Sequence, residues 1–241
     1  MEKSSVTFTQ GRKSKSKLEL TNPELLNPAA RFNGRVFDTD PVVTYMLLEM
    51  SQEERLAYLP IYWSTLVKSA LLNDAVITEA DDWKAASVII PPGKCVDNVW
   101  TLIYAGFLCV LWKLSFSGFK RLWTEFSGMT DNAKKKGLHG QKRYYYIFSI
   151  GTDHKHRGKG LAKAIMREHQ HTAQSENVPI WLEATSPGSR NMYLSLGFKE
   201  IEEIIVGKGK VAADATRQPG GPGIPIYAMV WWPEFSSSPE R

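Results

Sequence analysis

The chain has 241 residues, 43% of them hydrophobic and 11% aromatic, an ordinary globular composition with enough apolar residues for a real core. The net charge of +5 and the pI of about 9.1 are a mild basic excess that suits an anionic ligand, a nucleic acid or a solvated surface, and selects none of them. Two cysteines, Cys95 and Cys109, exclude a disulfide framework, and there is no Cys/His cluster with zinc spacing, so a cytosolic protein with no metal site is expected.

Residues 1–17 are polar and basic, end in "RKSKSK", and lack both periodicity and the apolar core of a signal peptide. They are expected to form a disordered, solvated tail that does not bind nucleic acid. Residues 18–241 show no internal repeat and no clean linker and read as a single domain. From Asn22 to Asp74 the pattern is helical. Asn22 with Pro23 and Asp40 with Pro41 are cap signals, and Ser51 with Glu54 makes a capping box.

The period then changes. "AVITEA" (75–80) and "WKAASVII" (83–90) read as a hairpin turning at Asp81 and Asp82 and closed by "PPG" (91–93). Helices are expected again to about Lys136. Among them the run Asn98–Trp112 carries no charge but falls short of the roughly 20 residues needed to cross a bilayer, so it reads as buried helix and stable membrane insertion is not expected.

"YYYIFSIGT" (144–152) is a β-branched and aromatic run of the kind found in a central strand buried on both faces. A glycine-rich basic stretch follows, then a helix to Asn177 with apolar Leu161, Ile165 and Ala173 on one face. Next come a strand over "VPIWLEAT" (178–185), a short helix ended by Gly197, a strand over 198–206, a loop rich in glycine and proline (207–223), and a last strand over 224–232. This order gives an α/β fold. Its central mixed sheet has a parallel pair in the middle and antiparallel strands outside, flanked by helices, with an extra helical insertion before the central strand.

The stretch "HKHRGKGLAKAIM" (154–166) opens a helix on two glycines and several cations. A helix start has backbone N–H groups without intrahelical partners and a partial positive charge, so glycines there let an anion approach bare amides. The spacing fits neither a Walker loop, which needs four residues between its glycines, nor a dinucleotide fingerprint with three glycines and a later acidic residue.

What remains, Arg157-x-x-Gly160-x-Ala162, resembles the Q/R-x-x-G-x-G/A signature of the GCN5-related N-acetyltransferase (GNAT) superfamily. "YLSLGF" (193–198) resembles its Y-x-x-x-GF ending, and "WLEAT" resembles the strand between the two. The "LEAT" strand and the helical insertion resemble the puromycin N-acetyltransferase-like group and its fungal relatives.

The resemblance implies that acetyl-coenzyme A is held at its pyrophosphate by the amides of Arg157, Gly158, Lys159, Gly160, Leu161 and Ala162. It also implies that the end of the strand, Ile150, Gly151 and Thr152, offers backbone groups to the pantetheine arm and the thioester. Many members hold the coenzyme with an asparagine four residues before the tyrosine. Here Ser189 stands at that position, so either Ser189 or the nearby Asn191 takes the contact, or it is lost.

Acetyl transfer needs a deprotonated amine, a polarised carbonyl and a proton for the departing thiolate. Tyr193 holds the superfamily's tyrosine position and is the expected acid. Glu183 is the first choice for the base, since a carboxylate in a core strand needs a reason to be there. Asp38 and Asp40 are weaker choices because "FDTDP" also reads as helix capping. Tyr62, Trp63, Trp100 and Tyr104 are possible acceptor-pocket residues, and loop 207–223 a possible lid. The function expected is direct transfer of an acetyl group to a small-molecule amine. The alternatives are a protein lysine acetyltransferase and a non-catalytic acyl-CoA-binding module.

Overall fold

The computed structural model describes residues 8–11, 23–94, 99–106, 110, 113 and 128–234. Cys95, Cys109, the cap expected at Asn22 and most of the insertion before the central strand lie outside them, as does the Trp100 side chain. Among the described residues the first three helices are α1 (Pro23–Val36), α2 (Pro41–Met46) and α3 (Gln52–Leu72). Asp40 caps α2, accepting from the Val42 and Val43 amides. At α3 the Ser51–Glu54 capping box forms in both directions, as the sequence indicates.

Seven strands form one sheet: β1 (Phe8–Gly11), β2 (Val76–Ala80), β3 (Ala85–Ile90), β4 (Tyr145–Thr152), β5 (Ile180–Ala184), β6 (Lys199–Val206) and β7 (Ile224–Trp231). Their order is β1-β2-β3-β4-β5-β7-β6, and among the described residues the one parallel pairing is between β4 and β5. Further α-helices among the described residues include α4 (Val99–Ala105), α5 (Gly128–Gly137), α6 (Leu161–Glu176) and α7 (Pro187–Leu194).

One expectation needs correction. Residues 8–11 fall within the stretch expected to be a disordered tail, yet they form β1, pairing with β2 from Phe8↔Ala80 to Gly11↔Ile77. The cause is tertiary, because an edge strand offers a row of unpaired N–H and C=O groups that a short β-forming segment can join.

The sheet is buried on both faces. Val88 and Ile90 of β3 pack with Ala29, Leu59, Trp63 and Val67 of α1 and α3, whereas Ile89 packs with Met166 and Ala173 of α6. Ile226, Ala228 and Val230 of β7 pack with Val42, Tyr45 and Met46 of α2, while Tyr227 and Met229 turn to the opposite face. Strand alternation thus sorts one core into two layers.

In α4, within the apolar run expected to be buried, Ile103 and Tyr104 are exposed while Ala105 is buried. Among the described residues no helix is long and apolar enough to cross a membrane. Loop 207–223 is not a free lid. It is cross-braced by Gly209 N→Gly221 O, Gln218 N→Lys210 O and Gly223 N→Val211 O, it buries Val211 and Ala215 against α2, and Arg217 pairs with Glu49. Its glycines serve tight turns, with φ of +67° at Gly207 and +82° at Gly223.

Candidate active site

The parallel pairing of β4 with β5 is confined to Tyr145↔Ile180 and Tyr146↔Trp181. Beyond those rungs the strands diverge, and β4 keeps only its β3 partners, through to Thr152↔Ala85. A register shift at Val88/Ile89 leaves Phe148 as the extra residue of β4 and turns that strand as it separates. The wedge so opened is a cleft of about 1000 Å³. It is lined by Ile147–Thr152 of β4, Leu182–Ser186 at the end of β5, Arg157–Lys163 at the start of α6, the α1–α2 corner, and Ser189, Met192 and Tyr193 of α7.

At the α6 end, Gly160 is the N-cap with φ +79° and ψ 7°, and no side chain caps the helix. Gly158 has φ +78°, and a Cβ on either glycine would meet nothing within 4 Å. Backbone conformation therefore explains the glycines, and the space above them is open. Bare amides at the start of a sixteen-residue helix make a site for an anion. Arg157 and Lys159 are exposed beside it, and among the described residues neither pairs with a carboxylate. The preceding turn is tied down by Asp153 accepting from the Lys155 amide and by His154 Nε2, which contacts the Arg35 carbonyl at 2.9 Å and Asp38 at 3.1 Å.

Gly151 lies against α1, where a Cβ would come within 2.4 Å of Val36 Cγ1. Close backbone approach fixes this residue, and it holds the α1–α2 corner over the cleft. Tyr193 is 5% exposed, tilted against Phe198 at 5.5 Å, and burial raises its phenol pKa. A phenol so placed stays protonated and can donate. Glu183 lines the cleft half-buried, with Oε1 accepting from Trp181 Nε1 at 2.6 Å, so its orientation is set from its own strand.

Ser189 lines the cleft, but its hydroxyl is engaged with Ser186 in the capping box of α7. Asn191 is exposed and is not among the lining residues. Of the aromatic residues singled out for an acceptor wall, Tyr62 and Trp63 are buried in the core and Tyr104 faces outward. The lining rings are instead Phe37 and Phe148, with Trp63 packed behind them at centroid distances of 5.0 and 6.2 Å.

Two further groups share that wall. Asp40 lies at the corner and Thr185 just past β5, and the Thr185 hydroxyl donates to Asp40 Oδ2 at 2.6 Å. Burial raises the Asp40 carboxyl above its usual range, against the hydrogen bonds from Thr185, Val43 and Val42 that lower it. The signal for Thr185 was present in "WLEAT": it has the same strand parity as Trp181 and Glu183 and so faces the same side.

Residues 102–198 match the family model for the acetyltransferase (GNAT) family. An uncharacterized N-acetyltransferase of Schizosaccharomyces pombe is 22% identical over 214 residues, spanning 88% of this chain and 81% of that protein. A solved structure from Corynebacterium glutamicum, described as histone acetyltransferase HPA2 and related acetyltransferase, superposes with a TM-score of 0.59 at 16% identity over 96% of this chain and 99% of its own. The polyamine N-acetyltransferase of Drosophila melanogaster does so with a TM-score of 0.58 at 12% identity over 95% and 100%. The splayed strand pair, the uncapped glycine start of α6 and the matched segment coincide: the chain has the GNAT fold, and over residues 102–198 it is similar to the GNAT acetyltransferase family.

Proposed function

We propose that this protein is a cytosolic, acetyl-CoA-dependent N-acyltransferase that acts on a small amine by direct transfer within a ternary complex. One observation carries the reading: a single cleft gathers the uncapped helix start, the run of β4 that β5 has left, a buried tyrosine and a carboxylate on the facing strand. These groups fit acetyl-coenzyme A. The amides of Arg157–Ala162 and the two exposed cations suit a pyrophosphate, and Ile150, Gly151 and Thr152 lie on the strand run that β5 has left. Of the two candidates for the asparagine's contact, Ser189 is on the cleft wall and Asn191 is outside it.

When bound, the coenzyme supplies the activated acyl group as a thioester. Tyr193 gives a proton to the leaving sulfur, and a carboxylate of the cleft takes one from the acceptor amine, Glu183 being the one that the sequence singles out. A β4 backbone amide facing the cleft stabilises developing negative charge on oxygen. The corner at Val36–Pro41 roofs the acceptor side with Phe37 and Asp40, which suits a compact amine. The likeness to a polyamine N-acetyltransferase points the same way.

The test is calorimetric titration with acetyl-CoA together with thiol release across an amine library. Binding with amine-dependent release supports the proposal. Binding without release, with labelled acetyl appearing in lysine peptides, would move the acceptor class to protein lysine. Absence of binding would overturn the proposal.

A further inference from the structure

Asp40 and Thr185 are separated by most of the chain and meet only because the α1–α2 corner folds over the end of β5. Their bonding is asymmetric. Asp40 Oδ1 accepts from two amides, Val42 at 2.9 Å and Val43 at 3.0 Å, and so performs the capping that the sequence suggests. Oδ2 takes no part in the cap and accepts the Thr185 hydroxyl at 2.6 Å. A threonine oxygen whose hydrogen is committed to a carboxylate keeps only lone pairs for its other side. Thr185 lines the cleft, so those lone pairs are available to an amine there.

We infer that Thr185 and Asp40 form a two-step proton path for the acceptor: the ammonium passes a proton to Thr185 Oγ1 as Thr185 passes its own to Asp40 Oδ2. This inference rests on the proposed acetyl transfer. The freed nitrogen lone pair makes the new C–N bond as the C–S bond breaks. The sulfur leaves with the Tyr193 proton, the second proton shed by nitrogen restores Tyr193, and Asp40 returns its proton to solvent through Thr185.

The overall change is ammonium plus thioester to amide, thiol and one proton. A carboxylate whose burial outweighs the hydrogen bonds it accepts is a stronger proton acceptor than an exposed one. The ionisable groups near it are Tyr62 on α3, whose phenol the Asp40 charge helps to raise, and Glu183, two residues before Thr185. The Arg55 guanidinium is turned to the Asp38 carbonyl and the Thr44 hydroxyl. Glu183 is tied to Trp181 and in this scheme orients the ammonium rather than deprotonating it.

The test uses full-length protein with the best amine found by thiol release, and Thr185→Val, Thr185→Ser and Asp40→Asn variants. Coenzyme A affinity and melting temperature are recorded beside the pH profile of kcat/KM. Asparagine is also a good helix cap, so Asp40→Asn keeps α2 while removing the proton acceptor.

The expected result is a loss of at least a hundredfold in kcat for Thr185→Val and Asp40→Asn, with coenzyme A affinity kept. The residual rate should rise with pH without a plateau, and Thr185→Ser should restore most activity and the wild-type profile. Wild-type kcat in Thr185→Val, or an unchanged pH profile in Asp40→Asn, would overturn the proton path while leaving the acetyl transfer standing. If Asp40→Asn melts early, Thr185→Val, which leaves the cap intact, carries the decision. Failure of the wild-type protein to release thiol with any amine would overturn the transfer reading and the path with it.

Discussion

Replacing Tyr193 with phenylalanine removes one oxygen and keeps the ring in its packing against Phe198 at 5.5 Å. Because the residue is 5% exposed and its ring contacts are apolar, stability should change by no more than about 1 kcal/mol, the net worth of a typical hydrogen bond. For a domain of this size that is a melting shift of about 4 °C or less. The α6 amides proposed to hold the coenzyme are untouched, so affinity for coenzyme A should stay within about twofold of wild type. Turnover should fall by about 10²- to 10⁴-fold, the usual contribution of a positioned acid, or about 3–5 kcal/mol of barrier.

Steady-state thiol release at saturating coenzyme and amine measures this directly. Burial raises the phenol pKa, so the acid form persists at least to its ordinary value of about 10, and no descending limb from Tyr193 is expected below about pH 9. Turnover within twofold of wild type in Tyr193→Phe, with the fold intact, would refute the acid role.

Gly160→Trp should abolish coenzyme A binding in calorimetry. Its side chain would enter the open space above the amides, at a backbone cost of about 1–2 kcal/mol for φ +79°; normal affinity would contradict the anion site. Gly151→Ala should cost about 1–3 kcal/mol in denaturant unfolding because its Cβ would meet Val36 Cγ1 at 2.4 Å, and Val36→Ala should relieve part of that loss.

His169 of α6 is buried, contacts Ser87 Oγ through Nε2 at 2.7 Å, and is pushed down to about 4 by desolvation. Its folded pKa lies below the unfolded value, so the unfolded chain takes up the proton first. Stability is therefore lost as pH falls from about 6.5 towards 4, by about 3 kcal/mol at most, and does not depend on this group above that window. Denaturant midpoints at pH 5 and pH 8 should differ less in His169→Gln than in the wild type; an equal difference would exclude His169 as the cause.

The local elements could be read from the chain because each depends on neighbours in sequence. The Asp40 and Ser51 caps, the turn at Asp81 and Asp82, the glycine opening of α6 and its ending near Asn177 all involve residues a few positions apart. Period and length separated the buried β4 from the amphipathic α6. The glycine stretch also marked the bare-amide start of α6, where Gly158 and Gly160 take positive φ.

What depends on distant parts of the chain was settled only by the fold. Residues 8–11 became a strand because β2 had a free edge, and loop 207–223 was fixed by burial of Val211 and Ala215 against α2, which its composition does not reveal. Phe37 and Phe148 line the cleft where Tyr62 and Trp63 of α3 were expected, since tertiary packing decided which rings face it. Asp40 was legible as a cap, but its second oxygen found Thr185 only when the corner closed over β5. Sequence specifies what a residue does for its own element, whereas the partner across a cleft depends on where two elements meet, which the packed core alone determines.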